Sequence, residues 1–184
     1  KGEEKMETIA TDKIIIATGS KPASLPNIKI DKNRIISSTE ALALREIPKH
    51  LMVVGGGVIG VEIGSVFARL GSKVSIVEYF DSLIATMDGA LGHQLHRSLR
   101  KEGIDFYLEH KVTNATATED KVELKAENLS GKEEMSLDGD YCLMAIGRKP
   151  YTANLGLENI GVETNEKGQI TVDENLETNI KGVY

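Results

Sequence analysis

The chain has 184 residues, of which 40% are apolar and 27% charged, and its formal net charge is −6. These values are typical of a globular protein with a sizeable core and argue against a disordered or fibrous chain. Because no block of basic residues interrupts the acidic balance, the composition argues against a nucleic-acid partner and an anionic membrane surface. No apolar run reaches the roughly 18 residues that a bilayer-spanning helix requires.

The cysteine content and the two ends of the chain indicate its setting. Cys142 is the single cysteine, so no intrachain disulfide forms, and a reducing, cytoplasmic location is predicted. Residues 1–5 resemble neither a signal peptide nor a transit peptide. Lys1 leads into a strand-like segment and Tyr184 ends inside another, so we interpret the chain as a piece of a larger protein.

The first part of the chain predicts extended segments and one short helix. Residues 8–18 are rich in β-branched side chains and run into a glycine turn at Gly19, which predicts a strand. Two prolines make residues 21–30 an extended connection. Residues 38–42 begin with serine and threonine and predict a capped helix that ends before Pro48.

The next block predicts a βαβ unit. A short buried strand at 51–54 leads through a glycine turn into a helix at 58–70, whose apolar residues are spaced three and four apart. Gly71 is placed to cap that helix, and a second strand follows at 73–78. Strand, helix and strand in such a short span predict a right-handed, parallel unit.

The remaining elements complete an α/β fold. A second helix is predicted from Asp88 to about residue 102, and a third strand over 104–112. Short alternating strands over 113–137 predict an antiparallel meander, an apolar strand follows at 141–146, and two short strands are predicted over 168–184. We therefore predict a Rossmann-like βαβ three-layer domain with a parallel sheet and an antiparallel β-meander.

The glycine turn from Gly55 to Gly60 fits the pattern G-x-G-x-x-G. In this pattern Gly55 permits the tight turn, Gly57 lets a pyrophosphate approach the backbone, and Gly60 lets helix and strand pack closely. The helix N-terminus adds free N–H groups and a partial positive charge. Because a strand precedes the motif and an acid ends the next strand, it predicts a dinucleotide site rather than a purely structural turn.

Two acidic residues accompany the glycines. Glu78 ends the second strand, where its carboxylate can accept hydrogen bonds from the adenosine ribose and would repel a 2′-phosphate. Residues 79–84 contain no arginine that would neutralise such a phosphate, so NAD is favoured over NADP. Glu62 lies on the first turns of the helix, and two interpretations stay open, an exposed helix face or a polar contact to the nicotinamide end.

The other polar residues predict no chemistry. His93 and His96 lie three apart beside arginines, which predicts a solvated helix face. Cys142 lies in a buried strand and is predicted to be a small core residue. The histidines show no metal-ligand spacing, so neither a metal site nor a catalytic residue is predicted.

Four segments recur in the same order in the pyridine nucleotide–disulfide oxidoreductases, namely residues 14–20, 53–62, 76–78 and 144–150. The chain resembles this family over essentially its whole length, and within the family it is most similar to the dihydrolipoamide dehydrogenases. The resemblance implies three segments: the end of a flavin domain, an NAD-binding domain, and a truncated returning flavin or central segment. Their bounds are 1–45, 46–147 and 148–184.

The resemblance also implies a role for each site residue. Residues 55–62 line the pyrophosphate and nicotinamide ribose, Glu78 holds the adenosine ribose, Val112 lies against adenine, Gly147 closes over the nicotinamide side, and Gly19 lies near the flavin. The predicted cofactor-binding residues are therefore Gly55, Gly56, Gly57, Val58, Ile59, Gly60, Val61, Glu62, Glu78, Val112, Gly147 and Gly19.

By the same resemblance, the whole enzyme oxidises dihydrolipoamide to lipoamide through a disulfide and FAD, and reduces NAD. This chain alone is expected to bind NAD but not FAD and to catalyse nothing, because it lacks counterparts of the family's redox cysteine pair and catalytic His–Glu pair. The expected partners are NAD(H), the rest of a homodimeric flavoenzyme and a 2-oxo acid dehydrogenase complex, with no nucleic acid and no membrane.

Other interpretations stay open. An NADH oxidase, a transhydrogenase or mercuric reductase of the same family fits these motifs, whereas glutathione reductase would favour arginines for NADPH. A flavin on the glycine loop is disfavoured because a flavin-domain strand at 14–19 precedes it. A methyltransferase loop is disfavoured because Val54 stands where an acid is usual. A non-catalytic Rossmann binding module is the alternative of another class, and the intact glycines and Glu78 argue against a loop that binds nothing.

Overall fold

The computed structural model describes residues 7–131 and 133–184, so the expectations for residues 1–6 and for Lys132 lie outside the described residues. The elements are β1 (Ser20–Pro22), β2 (Ile35–Ile36), α1 (Ser38–Ala41), β3 (His50–Val54), α2 (Val58–Arg69), β4 (Lys73–Val77), α3 (Gly89–Lys101), β5 (Asp105–Tyr107), β6 (His110–Ala117), β7 (Val122–Asn128), β8 (Glu134–Gly139), β9 (Tyr141–Met144), β10 (Arg148–Pro150) and α4 (Leu157–Ile160). They fall into a larger unit, Pro22–Arg148, and a smaller unit made of 7–21 and 149–184.

The larger unit is built on a five-stranded parallel sheet of order β2-β9-β3-β4-β5. The predicted βαβ unit is confirmed, since β3 pairs with β4 in parallel register and α2 connects them. Gly71 follows α2 with a φ of +102°, a conformation that favours glycine and ends the helix as predicted. The strand β2 was not predicted, because a two-residue strand is too short to show a hydrophobic pattern.

The parallel sheet separates two apolar cores, which gives the three predicted layers. Alternate residues of β3 point to opposite faces, as the two-residue period of a strand requires. Leu51 and Val53 pack with the helices, whereas Met52 and Val54 pack with the antiparallel sheet. All four side chains are at most 3% exposed, so the sheet is buried on both faces. The mixed α/β fold class is confirmed.

The helix caps follow the chemistry expected from the sequence. Ser37, one residue before the predicted start, caps α1 by accepting a hydrogen bond from the backbone of Thr39, and Glu40 completes a capping box. Asp88 caps α3 by accepting from the N–H of Ala90 at 2.8 Å, as predicted. No helix among the described residues combines the length and the apolar character that a membrane span needs.

The antiparallel meander is confirmed as β6-β7-β8, but the single strand predicted over 104–112 is wrong. The extended backbone is interrupted after β5 by Glu109, which has a φ of +55°. Its N–H donates to the Phe80 carbonyl at 3.0 Å, and its carbonyl accepts from Leu129 at 2.8 Å. These long-range bonds divide the predicted strand into two, of which β5 joins the parallel sheet and β6 begins the meander.

The smaller unit departs most from the predicted strands. Residues 8–18 form no strand, and a single parallel bridge joins Ile14 to Val183. β-branched residues favour extended backbone, but a strand also needs a partner ladder, and Ile15 is 78% exposed. The two strands predicted over 168–184 are also wrong, while α4 and the two-stranded sheet of β1 and β10 were not predicted.

Candidate functional site

A cleft of about 610 Å³ opens at the carboxyl ends of β3, β4 and β9 in the larger unit. Such an edge of a parallel sheet is where ligands bind in open α/β folds, and the volume suits a small molecule. Eight predicted site residues line the cleft: Gly55, Gly56, Gly57, Val58, Ile59, Glu78, Val112 and Gly147.

Two glycines of the loop are required by the fold itself. Gly55 has a φ of +108°, and a Cβ there would lie 2.5 Å from the carbonyl oxygen of Ala145. A Cβ on Gly60 would overlap the carbonyl oxygen of Gly55. The first glycine therefore makes the turn and the last one lets α2 pack onto it, which are the roles that the motif predicts.

Gly57 differs from these two glycines. Its φ of −73° is open to any residue, and a Cβ there would meet no atom of the structurally described residues within 4 Å. It is the N-cap of α2, and no side chain of the described residues caps this helix end. The first N–H groups of a helix have no partner within the helix, so they remain available to an anion. The fold does not demand a glycine at this position, whereas a ligand lying against the backbone would.

Glu78 places a carboxylate beside the loop. The residue is 8% exposed, its Oε2 accepts a hydrogen bond from the N–H of Gly56, and its Oε1 accepts from the N–H of Phe80 at 2.8 Å. Its backbone is held as well, since its N–H donates to Tyr107 and its carbonyl accepts from His110, both at 2.9 Å. A carboxylate offers about four acceptor positions, so about two remain for ribose hydroxyls.

Four predicted residues lie outside the cleft lining. Gly60 and Val61 are buried in α2, behind the loop. Glu62 is exposed on α2, and Gly19 belongs to the smaller unit, where it has a φ of +74°. The contacts of Glu62 with nicotinamide and of Gly19 with a flavin stay predictions.

Several lining residues were missed by the sequence analysis. Tyr79 and Phe80 follow Glu78 directly and line the cleft with more than half of their surface exposed. Ile84 also lines the cleft, as do His110 and Lys111 at the start of β6. The position of Tyr79 and Phe80 after the acid was an available signal. His110 and Lys111 reach the cleft only because the strand is interrupted at Glu109. The sequence pattern does not reveal this interruption.

The prediction that His93 and His96 form a solvated face is wrong for His96. Its ring lies edge-on to Phe106 with 4.7 Å between centroids, and its Nε2 is buried without a hydrogen-bond partner among the described residues. Burial, with the nearby charge of Arg100, lowers the pKa of His96. His93 is exposed as predicted.

The remaining polar predictions concern cysteine and metal sites. Cys142 is fully buried in β9, and burial raises its pKa to about 12, so it is the core residue that the sequence predicted. The described residues contain no group of three or more His, Cys, Asp or Glu side chains able to hold a metal ion.

Comparison with known proteins places this architecture. A model of the pyridine nucleotide-disulphide oxidoreductases matches residues 1–184. Mitochondrial dihydrolipoyl dehydrogenase of Pisum sativum is 47% identical over 171 residues, which are 93% of this chain and 34% of the relative. Leghemoglobin reductase of Glycine max is also 47% identical over 171 residues, 93% of this chain and 33% of the relative.

A solved structure of a flavoprotein disulfide reductase has a similar fold. The HOCl-induced flavoprotein disulfide reductase RclA from Escherichia coli is similar with a TM-score of 0.82 and 35% identity, covering 94% of this chain and 38% of RclA. The chain spans about a third of the length of the curated relatives named above. By sequence over its full length and by fold, the chain belongs to the pyridine nucleotide-disulphide oxidoreductases, whose members use FAD and NAD(P).

Proposed function

We propose that this chain is the NAD(H)-binding domain of a flavin-dependent dihydrolipoamide dehydrogenase. The observation that supports it most is the pairing of Glu78 with the loop, in which a buried carboxylate binds Gly56 beside the open position at Gly57. A dinucleotide needs both features, because its ribose hydroxyls require an acceptor and its pyrophosphate requires close access to backbone N–H groups.

The cleft is suited to NAD rather than NADP. A 2′-phosphate on the adenosine ribose would meet the buried charge of Glu78, and burial strengthens that repulsion. Lys111 also lines the cleft, but it is exposed, so water screens its attraction for a phosphate. We therefore assign Glu78 to the adenosine ribose, the loop from Gly55 to Ile59 to the pyrophosphate, Val112 to the adenine and Gly147 to the nicotinamide side.

When bound, NAD supplies a hydride acceptor at its nicotinamide ring, and the chain's own residues hold and orient it. The redox disulfide and FAD belong to the rest of the enzyme, so this chain is expected to bind NAD and to catalyse nothing alone. The 1–45, 46–147 and 148–184 segments are proposed as the end of a flavin domain, the NAD domain and a returning segment. The whole enzyme is proposed to be a homodimer that serves a 2-oxo acid dehydrogenase complex.

The substrate assignment rests on relatives with different names. The Pisum sativum relative is named for dihydrolipoyl oxidation and the Glycine max relative for leghemoglobin reduction, at equal identity to this chain. A second candidate is therefore the NAD-binding domain of another flavoprotein disulfide reductase or NADH oxidase. Rates of NAD reduction with dihydrolipoamide and of NADH oxidation with other acceptors, measured on the whole protein that contains this chain, separate the two.

The cofactor assignment is tested by calorimetric titration of the chain with NAD and NADP. We expect NAD to bind, and we expect the affinity for NADP to be lower than that for NAD by roughly tenfold or more. Glu78→Gln removes the charge and turns an amide NH2 toward one of the two backbone N–H groups, of Gly56 and Phe80, that the carboxylate binds. NAD affinity should therefore fall about tenfold or more, and the gap to NADP should narrow because the repulsion of a 2′-phosphate is lost.

Glu123→Gln is the matched control, because it removes one carboxylate from the meander, away from the cleft, where Glu123 accepts from Ser136 at 3.1 Å. It should leave both affinities unchanged. Equal binding of NAD and NADP by the unmodified chain would contradict the NAD assignment, and unchanged NAD affinity in Glu78→Gln would contradict the ribose role of Glu78.

A further inference from the structure

Ile84 combines a disfavoured backbone conformation with a place in the cleft. Its φ is +45°, a region that β-branched residues rarely adopt, and it is the only β-branched residue with positive φ among the described residues. It is 8% exposed and lines the cleft. Strain of this kind persists where the surroundings hold it, and it clusters at ligand sites.

The backbone of Ile84 is bonded to the glycine loop. Its N–H donates to the carbonyl of Gly56 at 2.9 Å, while the N–H of Gly56 donates to Glu78. Both polar backbone groups of Gly56 are thus occupied. In a trans peptide the carbonyl of one residue and the N–H of the next point in opposite directions, and no peptide in the described chain is cis.

The orientation of the next N–H follows from that geometry. Because Ile84 holds the Gly56 carbonyl, the N–H of Gly57 points away from Ile84, and among the described residues no backbone acceptor takes it. Gly57 is also the position with open space around its Cα. The bond from Ile84 therefore decides which way a ligand-facing N–H points.

The segment around Ile84 is packed so that it cannot easily turn. Leu83 is 1% exposed, and its Cδ2 lies only 2.7 Å from the position that a Cβ on Gly56 would take. Its carbonyl lies 2.6 Å from the Cβ position of Gly92 in α3. The carbonyl of Ile84 accepts from Met87 at 2.8 Å, which closes the turn. These contacts hold the segment between the loop and α3.

We infer that Ile84 is a positioning residue, whose backbone N–H orients the Gly56–Gly57 peptide so that the Gly57 N–H faces the cofactor's pyrophosphate. The inference rests on the proposed NAD-binding function. It assigns the positioning to the backbone of Ile84 and not to its side chain, so a residue that tolerates positive φ and keeps the N–H should replace it.

The test compares Ile84→Pro with Ile84→Asn in calorimetric titrations with NAD and AMP. Proline removes the N–H and imposes a negative φ, whereas asparagine keeps the N–H and tolerates positive φ. We expect Ile84→Pro to weaken NAD binding roughly tenfold or more while AMP, which has no pyrophosphate, changes less than about threefold. Ile84→Asn changes a side chain that lines the cleft, so it should keep the ratio of NAD affinity to AMP affinity, rather than each affinity, within about threefold of the ratio for the unmodified chain.

Amide hydrogen exchange of the unmodified chain gives a measurement that needs no variant. The Ile84 amide should be protected without ligand, and the Gly57 amide should become protected when NAD binds. An Ile84 amide that exchanges like an exposed loop overturns the inference even if Ile84→Pro fails to fold.

The titrations overturn it in two further ways. One is that Ile84→Pro binds NAD as tightly as the unmodified chain, and the other is that it loses NAD and AMP equally, which indicates a purely structural role. If the unmodified chain binds no NAD, the proposed function fails, and the role of Ile84 fails with it.

Discussion

Gly57→Ala separates the requirements of a ligand from those of the fold. The position has a φ of −73°, and in the part of the chain that the structure describes no atom lies within 4 Å of an added Cβ, so alanine fits without strain. Replacing glycine stabilises a protein by about 0.4–1 kcal/mol through the unfolded chain, whereas alanine is a poorer N-cap by an amount of similar size. The two effects oppose each other, so the free energy of unfolding should change by less than about 1 kcal/mol.

Binding of NAD should respond differently. The new methyl group would lie where the pyrophosphate approaches the backbone, and hydrogen bonds from backbone N–H groups to a charged group are worth about 1.5–3 kcal/mol each. The loss of one such bond corresponds to a fall in NAD affinity of roughly 10-fold to 100-fold. Calorimetry measures the affinity, and urea unfolding measures the stability of the same preparation.

Gly55→Ala is the contrasting variant. Its added Cβ would lie 2.5 Å from the Ala145 carbonyl oxygen at a φ of +108°, so this variant should lose stability by several kcal/mol before any ligand is added. If Gly57→Ala binds NAD as tightly as the unmodified chain, then the open position at Gly57 is not where the pyrophosphate lies, and the reasoning from the glycine geometry is refuted.

Two further predictions concern a partly buried histidine and a buried cysteine of the larger unit. The Nδ1 of His50 lies 2.6 Å from the backbone carbonyl of Asp138 and its Nε2 lies 2.9 Å from the Ser75 hydroxyl, and burial lowers its pKa below 6.5. The unfolded chain therefore takes up this proton at a higher pH than the folded chain does. In urea unfolding, the contribution of His50 to the free energy of unfolding should be fully present above pH 6.5 and decline below it. The decline should be shallower in His50→Gln but not in His93→Gln. Cys142, with its pKa raised to about 12 by burial, should react with a thiol reagent only at the rate of unfolding, and reaction within the mixing time would show that β9 opens in the native state.

The sequence was sufficient to predict those elements that follow one another at short range along the chain. The strand before Gly55, the helix after it and the acid at Glu78 were all predicted, because their periodicity and turn residues are adjacent in the chain. The approach of Glu78 to Gly56 was not predicted, although both residues were, since sequence spacing does not reveal that a side chain will bind that backbone.

Long-range contacts account for what the sequence could not predict. Glu109 adopts a positive φ because partners at Phe80 and Leu129 hold it, and no residue next to it indicates this. The sequence over 104–112 therefore predicted one strand where there are two. Ile84 is a similar case, because β-branched residues are among the least expected at positive φ. Its role becomes visible only through its hydrogen bond to the glycine loop.

The position of β9 has a consequence for how this protein is made. Cys142 and Leu143 pair on one side with β2 and on the other with β3, so a strand from late in the chain fills a gap between two early ones. A ribosome must therefore deliver every residue between Ile36 and Tyr141 before β2 gains its neighbour, and β3 has one open edge until then. Any nascent or proteolysed form that stops short of Tyr141 presents an apolar strand edge to other molecules, which makes such forms targets for chaperones and prone to aggregate.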